Sequence, residues 1–325
     1  MQTVACKIVL GSTTLRSDSS SHLVSVETQA AFAVPVHRCR IVLDGTATVS
    51  AQAGAEVQVE LGYDKQLSRV FTGQVQGIES GLTHIRIEAL SAFAALTAAR
   101  INQVYEKQSA QEIVQDLLGK VDVKQDKLET GVKFASYTVS ASRSAWAHLQ
   151  NLAEQCGFDF YADSEDRAVF AAYQPTRTHD FQYGKHILDY TWEQLPPSFV
   201  GVEVNGESPA GQGQSDDASP WLTKKEVKGS AGQSRGNVLR LVEPTARTQN
   251  LAAEIADNRW QRTKVEASGQ VRLIGAPAVA LGDAIQLAQM PVSAHNGVLR
   301  VVGVRQRLTP SRGFVTDISW EKSSQ

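Results

Sequence analysis

Over the first hundred residues apolar side chains recur at every second position. Cys39, Ile41 and Leu43 share one face, as do Val57, Val59 and Leu61, and later Ile85 and Ile87; a period of two predicts half-buried antiparallel strands. "DGTATVSAQAGAE" and "GYDKQ" supply turn residues between them. The period then lengthens. In "SAQEIVQDLLGK", Ile113, Val114, Leu117 and Leu118 fall on one helical face, Ser109 and Glu112 stand at capping-box spacing, and Gly119 is the stop. A second helix is written in "SASRSAWAHLQNLAEQCGFDFYAD": Ala145, Trp146, Leu149, Leu152, Ala153 and Cys156 form a stripe, Ser142 or Ser144 caps it, and Gly157 can take the left-handed geometry that ends it. Beyond it Phe158 and Phe160 lie on one face and Tyr161 on the other. With the acidic turn "ADSEDR" and then Val169, Phe170 and Tyr173, they predict a hairpin against that helix.

Strand character returns at "FQYGKHILDYTW" and "FVGVEVNG". A helix follows in "TQNLAAEIADNRWQRTK", with Leu251, Ala252, Ile255, Ala256 and Trp260 at helical spacing. The strands "GQVRLIG", "DAIQLAQ", "GVLRVVGVRQRL" and "FVTDISW" close the chain. The pattern predicts a mainly β protein with an α+β middle domain: a β domain over residues 1–103, a small helix-plus-hairpin unit over 104–178, and a second β domain over 179–325. Residues 205–237, rich in Gly, Ser, Gln and Asp, are expected to be a long exposed loop. The two β regions also resemble each other. A constant offset places Gly54 on Gly282, Val57 on Ile285, Val59 on Leu287 and Phe71 on Leu299, and a one-residue adjustment sets Val75 on Val302.

Charge narrows the function classes. The formal net charge is -2, from 32 basic and 34 acidic residues, so no global field draws the chain to nucleic acid or an anionic membrane. No run approaches the about 20 apolar residues that span a bilayer, and the opening "MQTVACKIVLGSTTLRSDSS" lacks the features of a secretory signal. Neither membrane integration nor sequence-specific nucleic-acid binding is expected. Cys6, Cys39 and Cys156 fit neither a disulfide framework nor a zinc site and read as reduced, buried side chains. The seven histidines form no H-x-x-x-H pair, and His179 beside Asp180 reads as a surface turn. Arg38, Arg40, Arg300, Arg305 and Arg307 read as solvated strand faces. No catalytic, cofactor or metal residues are assigned. For a wall-degrading enzyme, Glu154, Asp159, Asp163, Glu165 and Asp166 are the available carboxylates. For a saccharide-binding module, Trp146 is the aromatic to test.

The ordered motifs carry a resemblance. "SAWAHLQNLAEQCGFDFYAD" followed by "AVFAAY" resembles the pattern of phage late control D proteins and of the N-terminal hub region of VgrG spikes in contractile injection systems; its residues here are Trp146, Leu149, Leu152, Ala153, Glu154, Gly157, Phe158, Phe160 and Tyr161. The C-terminal run is similar to the same family's closing β domain at Gly275, Pro277, Leu281, Gly282, Asp283, Ile285, Gly297, Gly313, Phe314 and Thr316. "VELGYDKQLSRVFTGQVQGIE" resembles its first tube domain. Two departures stand out: Gln306 and Arg307 occupy a neighbourhood where many relatives carry a histidine, and the chain ends at "WEKSSQ" without a β-helix segment.

The resemblance implies two tube-protein-like antiparallel β-barrel domains flanking the helix-plus-hairpin domain. It implies a non-enzymatic baseplate hub without cofactors: a homotrimer whose six β domains make a pseudo-sixfold ring joining a sixfold tail tube to a threefold spike. The partners implied are a separate spike protein, the tail tube protein and baseplate wedge proteins, with a tape measure protein as a further candidate. The expected location is the cytoplasm of the producing bacterium and then the baseplate of a phage tail or injection particle. The alternative is a cell-wall-degrading or saccharide-binding component of such a particle.

Overall fold

The computed structural model describes residues 3–16, 22–64, 66–206, 227–309 and 312–323. The first β region contains β1 (Val4–Leu10), β2 (Thr13–Arg16), β3 (Leu23–Ala31), β4 (Arg38–Asp44), β5 (Glu56–Tyr63), β6 (Gln66–Ser80) and β7 (His84–Leu90). The middle holds α1 (Phe93–Ala98), β8 (Gln103–Glu106), α2 (Ala110–Gly119), β9 (Gln125–Leu128), β10 (Ser136–Val139), α3 (Ala145–Cys156), β11 (Asp159–Ala162) and β12 (Ala168–Ala171). Then come β13 (Thr178–Gln182), β14 (Ile187–Gln194), β15 (Gly201–Asn205), β16 (Lys228–Gly232), β17 (Val238–Val242), α4 (Gln249–Arg262), β18 (Val265–Ile274), β19 (Ala284–Ala288), β20 (Gly297–Thr309) and β21 (Gly313–Ser323).

One 13-stranded sheet carries both β regions, in the order β14-β18-β21-β20-β3-β4-β7-β6-β5-β1-β2, with β19 against β20 and β13 against β19. Two equivalent strand sets lie within it. The first runs β3-β4-β7-β6-β5-β1 and the second β14-β18-β21-β20-β19-β13, and each set visits its positions in the same chain order. The outermost pair differs, because β1 runs antiparallel to β5 and β13 parallel to β19.

The internal likeness seen in the sequence therefore has a structural counterpart, with its register corrected. Gly54 and Gly282 both sit at φ +85°, the left-handed region that favours glycine. Gly54 N–H donates to the Val75 carbonyl at 2.8 Å and Gly282 N–H to the Val301 carbonyl at 3.3 Å; in return Val75 N–H reaches Ala55 O and Val301 N–H reaches Asp283 O. Each valine also begins a bulge, at Val75/Gly77 and at Val301/Gly303. The partner of Val75 is thus Val301, one residue before the expected Val302. Likewise Val57 faces Gly73 and Ile285 faces Leu299, so Gly73, not Phe71, occupies the place of Leu299. The strand connection is shorter in the second copy, which sequence alternation alone cannot reveal.

Each set buries its own apolar face. Ile8, Leu10, Ile41, Leu43, Val59, Leu61 and Ile87 fill the first core; Val271, Leu273, Ile285, Leu287, Val301, Ile318 and Trp320 fill the second. The middle core gathers Phe93, Leu96, Ile113, Leu117, Phe134, Leu149, Leu152, Phe160 and Phe170. It includes α1, which the sequence places with the first β region. α2 has the expected capping box at Ser109, and α3 is capped by Ser144 and ends at Gly157 with φ +70°; such caps contribute about 1 kcal/mol each.

A fourth core was not foreseen. Val202, Val204, Val227, Ala252, Ile255 and Ala256 bring α4 against the three-stranded sheet β16-β15-β17. The expected loop at 205–237 is correspondingly interrupted: Asn205 ends β15, and β16 pairs antiparallel with it. Residues 207–226, including Trp221, lie outside the described residues. Cys6, Cys39 and Cys156 are buried and form no disulfide among the described residues. No helix among the described residues is long and apolar enough to cross a membrane.

Candidate functional site

The family-motif residues from distant segments meet where the two strand sets and the middle unit join. Tyr161, on the outward face of β11, packs edge-on against Phe32 just beyond β3, with ring centroids 5.1 Å apart. Its hydroxyl lies 2.8 Å from where a Cβ on Gly282 would be. One side chain thus touches both β regions. Arg300, from β20, enters beside it. Its guanidinium lies 4.5 Å from the Tyr173 ring centre and 5.0 Å from that of Phe32, and it donates to Asp159 Oδ1 at 2.5 Å. Asp159 is almost fully buried and also faces Arg262, which donates to Phe158 O at 2.7 Å. A buried carboxylate between two guanidiniums is compensated, and a charge this deep persists only on that condition.

α3 is tied to α4 in the same manner. Arg259 pairs with Glu154, the glutamate of the motif, and reaches Asn151 and Glu243. Asn258 donates to the Gln155 carbonyl at 2.9 Å. Of the other motif residues, Trp146 packs part-buried against the middle core, where Leu149, Leu152, Ala153 and Phe160 are buried, Phe160 stacks on Phe93 at 4.9 Å, and Phe158 meets Phe170 edge-on.

The C-terminal motif makes its own joint. Gly275 lies so close to Phe314 that a Cβ there would stand 2.2 Å from the ring, and its N–H donates to the Phe314 carbonyl. Thr316, fully buried, accepts from Ala276 N–H at 2.8 Å and donates to Gln306 Oε1 at 2.5 Å; Gln306 Nε2 returns to the Ala276 carbonyl at 3.2 Å. Gln306, a departure from the family pattern, is therefore a working member of the joint. Gly313 turns the chain at φ +67°. Asp283 accepts from Ala280 N–H and from His179 Nε2, 2.9 Å away.

Several expectations are corrected here. His179 is a strand residue held by Asp283, not a surface turn. Of the arginines read as solvated faces, Arg38 and Arg40 are exposed as expected, Arg40 beside Glu88 and Arg38 hydrogen-bonded to Gln29, whereas Arg300, Arg305 and Arg307 are part-buried in pairs with Asp159, Glu27 and Asp317. The carboxylates considered for catalysis are engaged in structural contacts, and Arg167 bridges Asp163 and Glu165. Glu154 and Asp159 go to α4 and β20, and Asp163 pairs with Arg167. Asp166, at φ +62°, accepts from Ala92 N–H through both oxygens, and burial lifts its pKa to about 7. The sequence did not single out Phe32, Arg259 or Arg262, because each acts through a partner about 100 residues or more away, and no local spacing encodes such a pairing.

A cleft of about 450 Å³ opens at this junction, bordered by Thr28, His37, Arg69, Tyr161, Asp163 and Gln306. Burial depresses the His37 pKa to about 4, leaving a neutral imidazole at pH 7. Among the described residues no three potential metal ligands come together. These contacts tie the four packed units to one another.

Comparison with known proteins shows the fold and the family. The structure is similar to a 43 kDa tail protein of prophage MuSo2 from Shewanella oneidensis, at 14% identity and TM-score 0.72 over 98% of each chain. It is also similar to a tail protein from Neisseria meningitidis MC58, at 12% identity and TM-score 0.71 over 98% of this chain and 96% of that one. An Escherichia coli protein described as a type VI secretion component similar to T4 bacteriophage tail proteins matches at 12% identity and TM-score 0.62, over 98% of this chain and 77% of that one. At these identities the likeness establishes the fold. Among curated proteins no match was found. Residues 39–310 match the profile described as phage tail baseplate hub (GPD), and a match over that much of the sequence means that the chain belongs to this family.

Proposed function

We propose that three copies of this hub protein form a ring in which six equivalent β units match the sixfold tail tube on one face and a threefold spike on the other. The observation that carries this reading is the pair of strand sets with one order, one chain sequence and the same left-handed glycine and bulge. A single chain holding two near-copies of a unit supplies six units from three chains, and a heterologous contact repeated around an axis closes when the rotation permits. The middle unit and the α4 layer brace the pair, since Arg300 and Arg259 tie them to β20 and α3. The chain serves as a structural part and not as an enzyme. Its partners are the tail tube protein, a separate spike protein and baseplate wedge proteins, with a tape measure protein as a further candidate, and its final place is the baseplate.

Native mass measurement of the purified protein, alone and coexpressed with a spike protein, tests this. The expected species contains three chains, and electron micrographs should show a ring with six peripheral lobes. A chain that stays single under both conditions overturns the reading.

A further inference from the structure

Within one chain the two strand sets are already joined, and the joint says how a second copy attaches. β20 divides its outer edge between two partners. Its first residues pair with β19, and beyond the Val301/Gly303 bulge it pairs antiparallel with β3, from Gly303 opposite Ala31 to Leu308 opposite Val26. The equivalent strand of the first set, β6, uses the first part of its edge for β5 as far as Gln74. Beyond its own bulge, at Gly77–Ser80, no strand among the described residues takes the free edge. The equivalent of β3 is β14, which pairs with β18 on one side and along Tyr190–Gln194 has no strand among the described residues on the other.

We propose that β6 of one chain pairs with β14 of the next, repeating between chains the seam that β20 makes with β3 inside each chain. The register follows from equivalences on both sides. Val75 corresponds to Val301, which sets Gly77 on Gly303. Val26 and Thr28 face Ile41 and Cys39, while Tyr190 and Trp192 face Val271 and Gly269, the equivalent positions of β18, so β3 maps onto β14. Transferring the internal seam sets Gly77 opposite Leu195, Ile78 opposite Gln194, Glu79 opposite Glu193 and Ser80 opposite Trp192.

Exposure agrees with a missing neighbour. Ile78 and the adjoining Leu82 are 36% and 102% exposed; on β14 Tyr190 and Trp192 are half-buried and Thr191, Glu193 and Gln194 exposed, whereas their counterparts on the covered β3 are buried at Val26 and Thr28 and half-buried at Glu27, Gln29 and Ala30. An open strand edge with apolar side chains beside it is ordinarily paired or covered. The far end departs from the internal seam. Phe32 N–H closes the internal ladder by donating to Val302 O at 3.1 Å, but its counterpart is Pro196, which has no amide to donate, so the seam between chains ends at Leu195. One mismatch sits in this register, Glu79 against Glu193, and Arg86 already holds Glu79 at 2.6 Å.

This pairing rests on the ring reading above, and its test separates the two. Because the Phe32 and Val302 positions exchange a hydrogen bond, alternation makes Gln29 with Arg305 a non-hydrogen-bonded pair. Glu79 and Glu193 inherit that closer spacing, within reach of a disulfide. The full chain carrying Glu79→Cys and Glu193→Cys, mildly oxidised, should run on a non-reducing gel as dimers and circular trimers that dithiothreitol dissolves. Each single variant, and the displaced pair Glu79→Cys with Thr191→Cys, should stay at monomer mass. The native cysteines are buried and leave the pattern clean. A three-chain species by native mass whose 79/193 cysteines do not link, or link no better than the displaced pair, overturns this seam and leaves the ring standing. Absence of a three-chain species, alone and with spike protein, overturns the ring and the seam together.

Discussion

Arg300 Nη2 and Asp159 Oδ1 lie 2.5 Å apart although 141 residues separate them. Asp159 starts the hairpin of the middle unit and Arg300 lies on β20, so the pair fastens the middle unit to the second β set. With the carboxylate buried, removing the nearer cation leaves only Arg262, 3.5 Å away, to compensate it, a loss of about 3 kcal/mol. Arg300→Ala should lower the denaturant midpoint strongly. Asp159→Asn should cost less, and the double variant should cost less than the sum of the two. Strict additivity in that cycle would show that the contact contributes no coupling.

Gly54 and Gly282 offer a matched comparison. Both hold φ +85°, but a Cβ at Gly54 meets nothing within 4 Å, whereas one at Gly282 meets the Tyr161 hydroxyl at 2.8 Å. Alanine at either site incurs a backbone cost of about 1–2 kcal/mol. Gly282→Ala should exceed Gly54→Ala by about 1 kcal/mol more, the cost of moving a packed side chain. Tyr161→Phe, placed in the Gly282→Ala background, should recover part of that excess. Equal melting temperatures for the two alanine variants would contradict the tie between the hairpin and the second β set.

The strands that hold these residues were legible in the sequence. Alternation at Cys39, Ile41 and Leu43 and at Val57, Val59 and Leu61 marks buried faces, and Ser109, Ser144 and Gly157 mark helix ends by local hydrogen bonding. Local chemistry decides such features, so one sequence suffices. The register of the duplication was misread because Val301 and Val302 are both apolar, and only the bulge distinguishes them. The layer of α4 on β15, β16 and β17 was missed for a different reason: Gly229 packs so tightly on α4 that a Cβ would stand 2.1 Å from the Ala252 backbone, and a Gly-rich strand has the composition of a loop. The motif residues were found, but their meeting across Phe32, Tyr161 and Gly282 is tertiary.

Two titrating groups near Asp163, the buried His37 and the half-buried Asp166, should give opposing pH slopes. Burial lifts Asp166 to about 7, so its proton is bound more tightly in the folded chain. Its contribution is full below the usual carboxylate range and is lost as pH rises through about 7. Burial lowers His37 to about 4. Its contribution is full above the usual imidazole value and is lost as pH falls toward about 4. These amount to about 4 kcal/mol for Asp166 and about 3 kcal/mol for His37 across their windows, so between these limits they oppose. Melting temperatures measured across that range should be nearly level for the unaltered protein. They should fall toward acid in Asp166→Asn and toward alkali in His37→Leu. Three parallel profiles would remove both groups from the pH dependence.

Thr316 supplies the last test, because its hydroxyl has two roles at once. It accepts from Ala276 N–H and donates to Gln306 Oε1, in a place without solvent access. Thr316→Val keeps the shape and removes both bonds, leaving a backbone amide and a side-chain carbonyl unpaired, at about 2 kcal/mol or more. Thr316→Ser keeps the bonds and removes one methyl, about 1 kcal/mol. Gln306→Leu in the valine background removes the stranded carbonyl and should restore part of the loss. Denaturant unfolding would show the order Ser above Val, with the double variant above Val alone. If valine matched or exceeded serine, the site would be holding the "GF" turn by packing, and the hydrogen-bonded triangle of Ala276, Gln306 and Thr316 would be incidental to it.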